Sequence, residues 1–199
     1  MTATVTRAEV KNGFVAVTVV MASQSGHDVR ELLLPYDEWD KSRFPSLPCA
    51  ISNEELEEFF VMEECYHAYE AGVRILAYGD NSSADLKRKL RAKKYSDYAA
   101  DKAIFMLKAR GYIDDFSLLN EKVLYYANEK LHGRRRIIAE LTAKGFTRRD
   151  VESALERCEG AIDFYRNQKK LIEQRFPKRG ERTKEDIVKI KAFLYRNGY

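Results

Sequence analysis

A phrase of the form apolar-x3-Leu-x3-(Lys or Gly)-aromatic occurs three times in this chain, at about fifty-residue spacing, and restricts it to a fold built by repetition. The copies are Leu86, Leu90, Lys94, Tyr95; Ile137, Leu141, Gly145, Phe146; and Ile190, Leu194, Gly198, Tyr199. Each sets two apolar residues on one helix face, stops at a residue tolerant of the left-handed conformation, and returns an aromatic ring to that face. After the first two copies a hydroxyl, Ser96 or Thr147, is placed to cap another amphipathic helix, from Ala99 to Leu107 and from Val151 to Leu155. A helix precedes each phrase as well: one through Tyr69 and Leu76, one from Phe116 to Leu131, one from Ala161 to Phe176.

The expected fold is therefore mainly α, a row of three-helix-bundle repeats in an elongated array. Repeat 1 covers 51–111, repeat 2 covers 112–160, and repeat 3 covers 161–199, its last helix missing. In Gly111-Tyr112-Ile113-Asp114-Asp115 the glycine ends one helix, the apolar pair seals it, and an aspartate caps the next. Capping accounts for this Asp pair better than carboxylate catalysis does. Residues 1–50 read as a small β hairpin or meander: Val5–Val10 and Phe14–Val20 flank Asn12-Gly13, the pair favoured in a type I′ turn. Past the polar break Ser23-Gln24-Ser25-Gly26, Val29–Leu34 reads as a third strand, followed by a loop around Pro45 and Pro48. Ser52 and Glu55 then stand at capping-box spacing.

Charge divides the chain. Residues 1–79 carry 6 Lys+Arg against 13 Asp+Glu and residues 80–199 carry 29 against 18, so a net charge of +4 conceals halves of opposite sign. A polyanionic partner for the second half explains this, and so does solubility alone. Gly133-Arg134-Arg135-Arg136 sharpens the question by putting three cations at a helix N-terminus, where the dipole already presents partial positive charge and each exposed arginine costs roughly 0.3–1 kcal/mol. Thr147-Arg148-Arg149 repeats the pattern, with Lys144 close by. Two such N-termini with free N–H groups suit phosphate; the other reading is an exposed surface neutralised by acids elsewhere in the fold. Lys87, Arg88, Arg91 and Lys94 sit nearer the C-terminal end of their helix, where the dipole welcomes them, so solvation and binding explain them equally. Lys178-Arg179-Gly180-Glu181-Arg182 is a mobile arm or an ordinary linker. The 12 tyrosines, among them Tyr66, Tyr69, Tyr95, Tyr112 and Tyr199, fall mostly at core or cap spacing and are assigned chiefly to packing rather than to base stacking.

Catalytic patterns are missing. His27, His67 and His132 are far apart, Cys65-Tyr66-His67 offers the single near pair, and no Gly-rich phosphate loop or G-x-S-x-G elbow occurs. A non-enzyme with no cofactor and no metal is expected. Cys49, Cys65 and Cys158 fit no disulfide framework and read as packing residues. Without an eighteen-residue apolar stretch or a signal pattern at the start, the chain is expected to be cytoplasmic with no membrane partner.

These residues resemble the regulatory protein RecX family, bacterial modulators of the RecA recombinase. The resemblance rests on Leu86-x3-Leu90-x3-Lys94-Tyr95, on Gly111-Tyr112-Ile113-Asp114-Asp115-Phe116, and above all on Gly133-Arg134-Arg135-Arg136-Ile137-x3-Leu141-x2-Lys144-Gly145-Phe146. It spans roughly residues 62–199 and departs at Lys94, where the family's cap is often glycine. It implies a monomeric regulator that lies along a RecA filament on single-stranded DNA, with weaker contact to duplex DNA. There it restrains recombination, ATP hydrolysis and the SOS coprotease activity. The residues' own placement agrees with this and makes Arg134, Arg135, Arg136, Arg148 and Arg149, with Lys144 close by, the first candidates for contacts to phosphate or to an acidic filament surface. Two other classes remain: a transcription factor of homeodomain-like bundles, opposed by Asp97, Asp101, Glu152 and Glu156 on the helices that would read bases, and an adaptor that binds only protein.

Overall fold

The computed structural model describes residues 3–23, 26–36, 39, 44, 46–177 and 181–199. Gln24 and Ser25 of the polar break, Pro45, and Lys178-Arg179-Gly180 of the C-terminal basic run lie outside the described residues. The chain forms two compact units, 1–81 with 86–113, and 82–85 with 114–199.

In the first unit β1 (Ala3–Lys11) and β2 (Phe14–Ser23) pair antiparallel through Asn12 and Gly13, whose φ of 51° and 79° are the positive pair a type I′ turn requires. The third expected strand is β3 (Gly26–Pro35). A fourth, β4 (Cys49–Ile51), was not anticipated: three residues between Pro48 and a helix are too short for a periodic signal, yet they pair with Ala3–Val5. The sheet order is β3-β2-β1-β4. Alternation turns Val5, Val15, Val17, Val19, Leu32 and Leu34 toward Leu56 and Phe59 of α1 (Asn53–Leu76), which the Ser52/Glu55 capping box opens as expected.

The rest of α1 packs with α2 (Ser83–Ala92) and α3 (Asp97–Ala109) around Leu86, Leu90, Ala99, Ala100, Ala103 and Leu107. Small residues permit close approach; a Cβ on Gly72 would sit 2.7 Å from Leu107 Cδ1. Phe14 belongs to this helical core rather than to the sheet's, and the Arg110 guanidinium lies 4.7 Å from the ring centroids of both Phe14 and Tyr69.

The second unit contains α4 (Asp115–Leu124), α5 (Arg134–Ala143), α6 (Arg148–Arg157), α7 (Phe164–Arg175) and α8 (Lys184–Arg196). Leu119, Val123, Ile137, Leu141, Val151, Ala154 and Leu155 form its core. The helix expected from Phe116 to Leu131 is shorter than that: α4 gives way to a π-helical turn, Tyr125–Glu129, and Leu131 takes a φ of 53°. A side chain stabilises the irregular backbone, since buried Asn167 on α7 donates to the Ala127 carbonyl at 3.0 Å. The helix expected from Ala161 starts at Phe164, because Asp163 caps it by accepting from the Arg166 N–H at 2.8 Å.

All three repeated phrases end as the spacing requires. Lys94, Gly145 and Gly198 have φ of 70°, 91° and 87°, and the N–H groups of Tyr95, Phe146 and Tyr199 return to the carbonyls of Leu90, Leu141 and Leu194. Asp114 caps α4 by accepting from the Phe116 and Ser117 N–H groups at 3.0 Å, and Asp115 accepts from Ser83 N–H at 2.8 Å and Ser83 Oγ at 2.5 Å. The Asp pair thus fixes two helix starts. Cys65 and Cys158 are buried, while Cys49 is half-buried. Among the described residues no helix is long and apolar enough to cross a membrane, and no group of three or more His, Cys, Asp or Glu could hold a metal ion.

Candidate nucleic-acid interface

The arginines at the start of α5 stand in three different situations. Arg134 is exposed and has no polar partner among the described residues. Arg135 lies over the Tyr195 ring at 5.0 Å and donates to the main-chain oxygen of Tyr199. Arg136, half-buried, donates to Asn197 Oδ1 at 2.7 Å and sits 3.5 Å from Glu140. Nor are the first N–H groups of α5 open, as the sequence suggested: Gly133 donates to the Asn197 carbonyl at 2.7 Å and Arg135 to Gly198 at 3.2 Å. The partial negative charge that α5 requires at its start comes from the carbonyls ending α8, and Arg135 and Arg136 join the two termini. This contact joins residues more than sixty positions apart, which no local pattern could disclose.

At the opposite end of α5 the Lys144 carbonyl accepts from Ser82 Oγ at 3.0 Å, while its exposed ammonium has no partner among the described residues. Ten residues at 1.5 Å each separate Arg134 from Lys144 by about 15 Å along the axis, so the two cannot share one phosphate. On α6, Thr147 Oγ1 accepts from the Asp150 N–H at 3.1 Å, and Arg148 pairs with Glu152 at 2.8 Å. Arg149 is exposed and unpaired among the described residues.

Within the first unit, Lys87 pairs with Asp101 at 2.5 Å and Arg91 with Asp97 at 2.9 Å, and Arg88 is engaged as well. Lys94, at its left-handed cap, has no partner among the described residues. The acids of α3 therefore meet cations of α2. Exposed ion pairs of this kind stabilise by about 0–1 kcal/mol and exchange readily for an incoming anion.

Tyrosine placement corrects the sequence reading. Of the 12 tyrosines seven are exposed, Tyr36, Tyr78, Tyr98, Tyr112, Tyr125, Tyr165 and Tyr195, so packing does not account for most of them. Tyr112 in particular leaves the seal to buried Ile113. Spacing places a ring on a helix face but does not say which face the core takes. In the second unit several exposed rings carry a cation: Tyr195 with Arg135, Tyr165 with Lys169 at 4.4 Å, and Tyr125 with Lys130 at 5.4 Å. Such pairs combine a flat stacking surface with a charge suited to phosphate.

His132 is a further group the sequence left unassigned. It is buried, stacks on Tyr126 with centroids 5.5 Å apart, and its Nδ1 has no hydrogen-bond partner among the described residues. Burial, and next the nearby Arg136 charge, hold its pKa below the ordinary histidine value.

No protein-family model matches the sequence. Individual relatives do. Regulatory protein RecX of Salmonella heidelberg (strain SL476) is 32% identical over 140 residues, covering 64% of this chain and 81% of that protein. Regulatory protein RecX of Escherichia coli (strain SE11) is 30% identical over 139 residues with the same coverage. A crystal structure of regulatory protein RecX superposes with a TM-score of 0.72 at 17% identity, covering 99% of this chain and 94% of that one. RecX from Lactobacillus salivarius gives 0.59 at 20% identity, covering 69% and 89%. The mainly helical architecture with a small antiparallel N-terminal sheet is thus shared with solved structures, and the relatives bear the name of a regulatory protein, not of an enzyme.

Proposed function

Because the chain belongs to the regulatory protein RecX family, we propose that it is a non-catalytic, cytoplasmic regulator that binds the RecA filament on single-stranded DNA and restrains its recombinase, ATPase and SOS coprotease activities. The observation that carries this reading is the state of the cations. In the second unit Arg134, Lys144 and Arg149 remain exposed without a partner among the described residues, while Arg135, Arg136 and Arg148 are matched internally. An unbalanced cation at a helix start, as at Arg134 and Arg149, is costly to the isolated fold and favourable once phosphate or an acidic filament surface arrives, whereas Lys144, at the C-terminal end of α5, costs the fold nothing and adds an exposed charge to the same unit. Arg134, Lys144 and Arg149 are the principal contacts in this reading. Arg148, Lys87, Arg88 and Arg91 contribute by exchanging internal pairs for phosphate, Lys94 adds an exposed cation without a partner among the described residues, and Tyr195 and Tyr165 supply stacking faces. Residues 51–111, 112–160 and 161–199 act as successive repeats, a division supported by the three caps of like backbone geometry at Lys94, Gly145 and Gly198.

A pull-down with RecA, in the presence and absence of single-stranded DNA, tests the assignment. Capture that requires the DNA supports the filament as target. Capture that is DNA-independent and insensitive to salt supports a protein-only adaptor instead.

A further inference from the structure

We propose that the outward face of α1, together with Tyr98, is a docking groove for a basic amphipathic helix of a protein partner. This goes beyond the nucleic-acid reading and uses none of its residues. The inner face of α1 buries Leu56, Phe59, Cys65, Ala68 and Tyr69. Its outer stripe begins with Glu54, Glu57 and Glu58 and continues as Val61, where a solvated face would carry a polar residue, with half-buried Met62 beside it joining the groove to the sheet core. Val61 is 44% exposed, and Tyr98 from the first turn of α3, 57% exposed, closes the far side. These residues and Asn53 line a cavity of about 560 Å³ with an apolar floor and an acidic rim.

Charge selects the occupant. Three carboxylates repel phosphate, so the groove is no part of a nucleic-acid surface. Glu54 and Glu57 have no partner among the described residues and stand ready for external cations. The stripe from 54 to 62 runs for about 12 Å, the length of roughly two turns of a facing helix. A partner helix would set apolar side chains at i and i+3 or i+4 against Val61, Met62 and Tyr98, with flanking Lys or Arg meeting the glutamates.

The probe is a labelled synthetic helix of leucine and lysine in amphipathic heptads, titrated into the full-length chain by fluorescence anisotropy. Val61→Glu and Glu57→Lys are each expected to weaken binding by about ten-fold or more, as loss of an anchor does. Asp80→Lys, which changes net charge equally at an exposed site away from the groove, should leave binding intact. A scrambled peptide of identical composition should bind at least about ten-fold more weakly than the amphipathic one. Circular dichroism checks folding, and if Val61→Glu does not fold, Glu57→Lys and Tyr98→Ala carry the test. Unaltered affinity in the folded groove variants, or equal binding of the scrambled peptide, would overturn the proposal. So would self-association of the chain in sedimentation that Val61→Glu or Tyr98→Ala abolishes, since a second copy would then be the occupant. Binding of a thymidine oligonucleotide, measured in parallel, reports on the basic surface, so failure of one reading is distinguishable from failure of the other.

Discussion

The main-chain N–H of Gly133 donates to the Asn197 carbonyl at 2.7 Å, and this bond seats the first turn of α5 on the last turn of α8. A Cβ on Gly133 would lie 2.4 Å from the backbone carbon and oxygen of Gly198, with no flexible side chain to give way. Gly133→Ala should therefore destabilise the second unit by about 1–3 kcal/mol, as overpacking does. Urea unfolding followed by circular dichroism measures it, and an unchanged midpoint would show that the contact is not maintained in solution.

Neighbouring arginines should separate into two behaviours. Arg134→Ala removes a cation that has no partner among the described residues and should leave stability unchanged or raise it by about 0.3–1 kcal/mol. Arg136→Ala deprives Asn197 Oδ1 of its donor in a half-buried site and should cost about 1–3 kcal/mol. Thermal melts of the two variants decide the matter, and equal melts would refute the distinction between a free and an engaged arginine.

Buried His132 should make stability depend on pH. Its pKa in the folded chain lies below the unfolded value of 6.5, so the folded state binds fewer protons just below that pH. Its contribution is whole above pH 6.5 and is lost as pH falls from there through the folded pKa. His132→Phe keeps the stack on Tyr126 and removes the unpartnered nitrogen, so this part of the pH dependence should disappear in urea titrations at several pH values. A slope in this pH range as steep as that of the original chain would exclude His132 as its source.

Local grammar accounts for what the sequence disclosed. The Asn12-Gly13 turn, the Ser52/Glu55 box, the Asp114 cap and the three aromatic returns each depend on residues within a few positions of one another. What it left hidden depends on distant partners. The Gly133–Asn197 junction, the Asn167 bond to the π-helical turn, the pairing of β4 with β1 and the outward turn of Tyr112 are all decided by tertiary neighbours. The candidate site follows the same division: the identity of its cations was legible, whereas which of them have internal partners was not.

Arg110 supports the attachment of the hairpin to the helices of the first unit. Its guanidinium contacts the Phe14 and Tyr69 rings and donates to Tyr69 Oη at 2.7 Å. Arg110→Ala should cost about 1–2 kcal/mol, and Arg110→Lys should recover only part of it, because an ammonium lacks the planar stacking surface. Chemical denaturation of both variants tests the order; full recovery by lysine would contradict it.

If Arg134, Lys144 and Arg149, which have no partner among the described residues, grip the filament, reversing their charge must weaken inhibition of RecA ATPase on single-stranded DNA, measured for the unaltered chain and for Arg134→Glu/Lys144→Glu/Arg149→Glu over a range of salt concentrations. The triple variant should stay folded and lose inhibition, and its binding to single-stranded DNA should have a log-log salt slope shallower by roughly 0.7 for each phosphate contact removed. A folded triple variant that inhibits as strongly as the unaltered chain, with the same salt dependence, would mean that these three cations do not hold the filament.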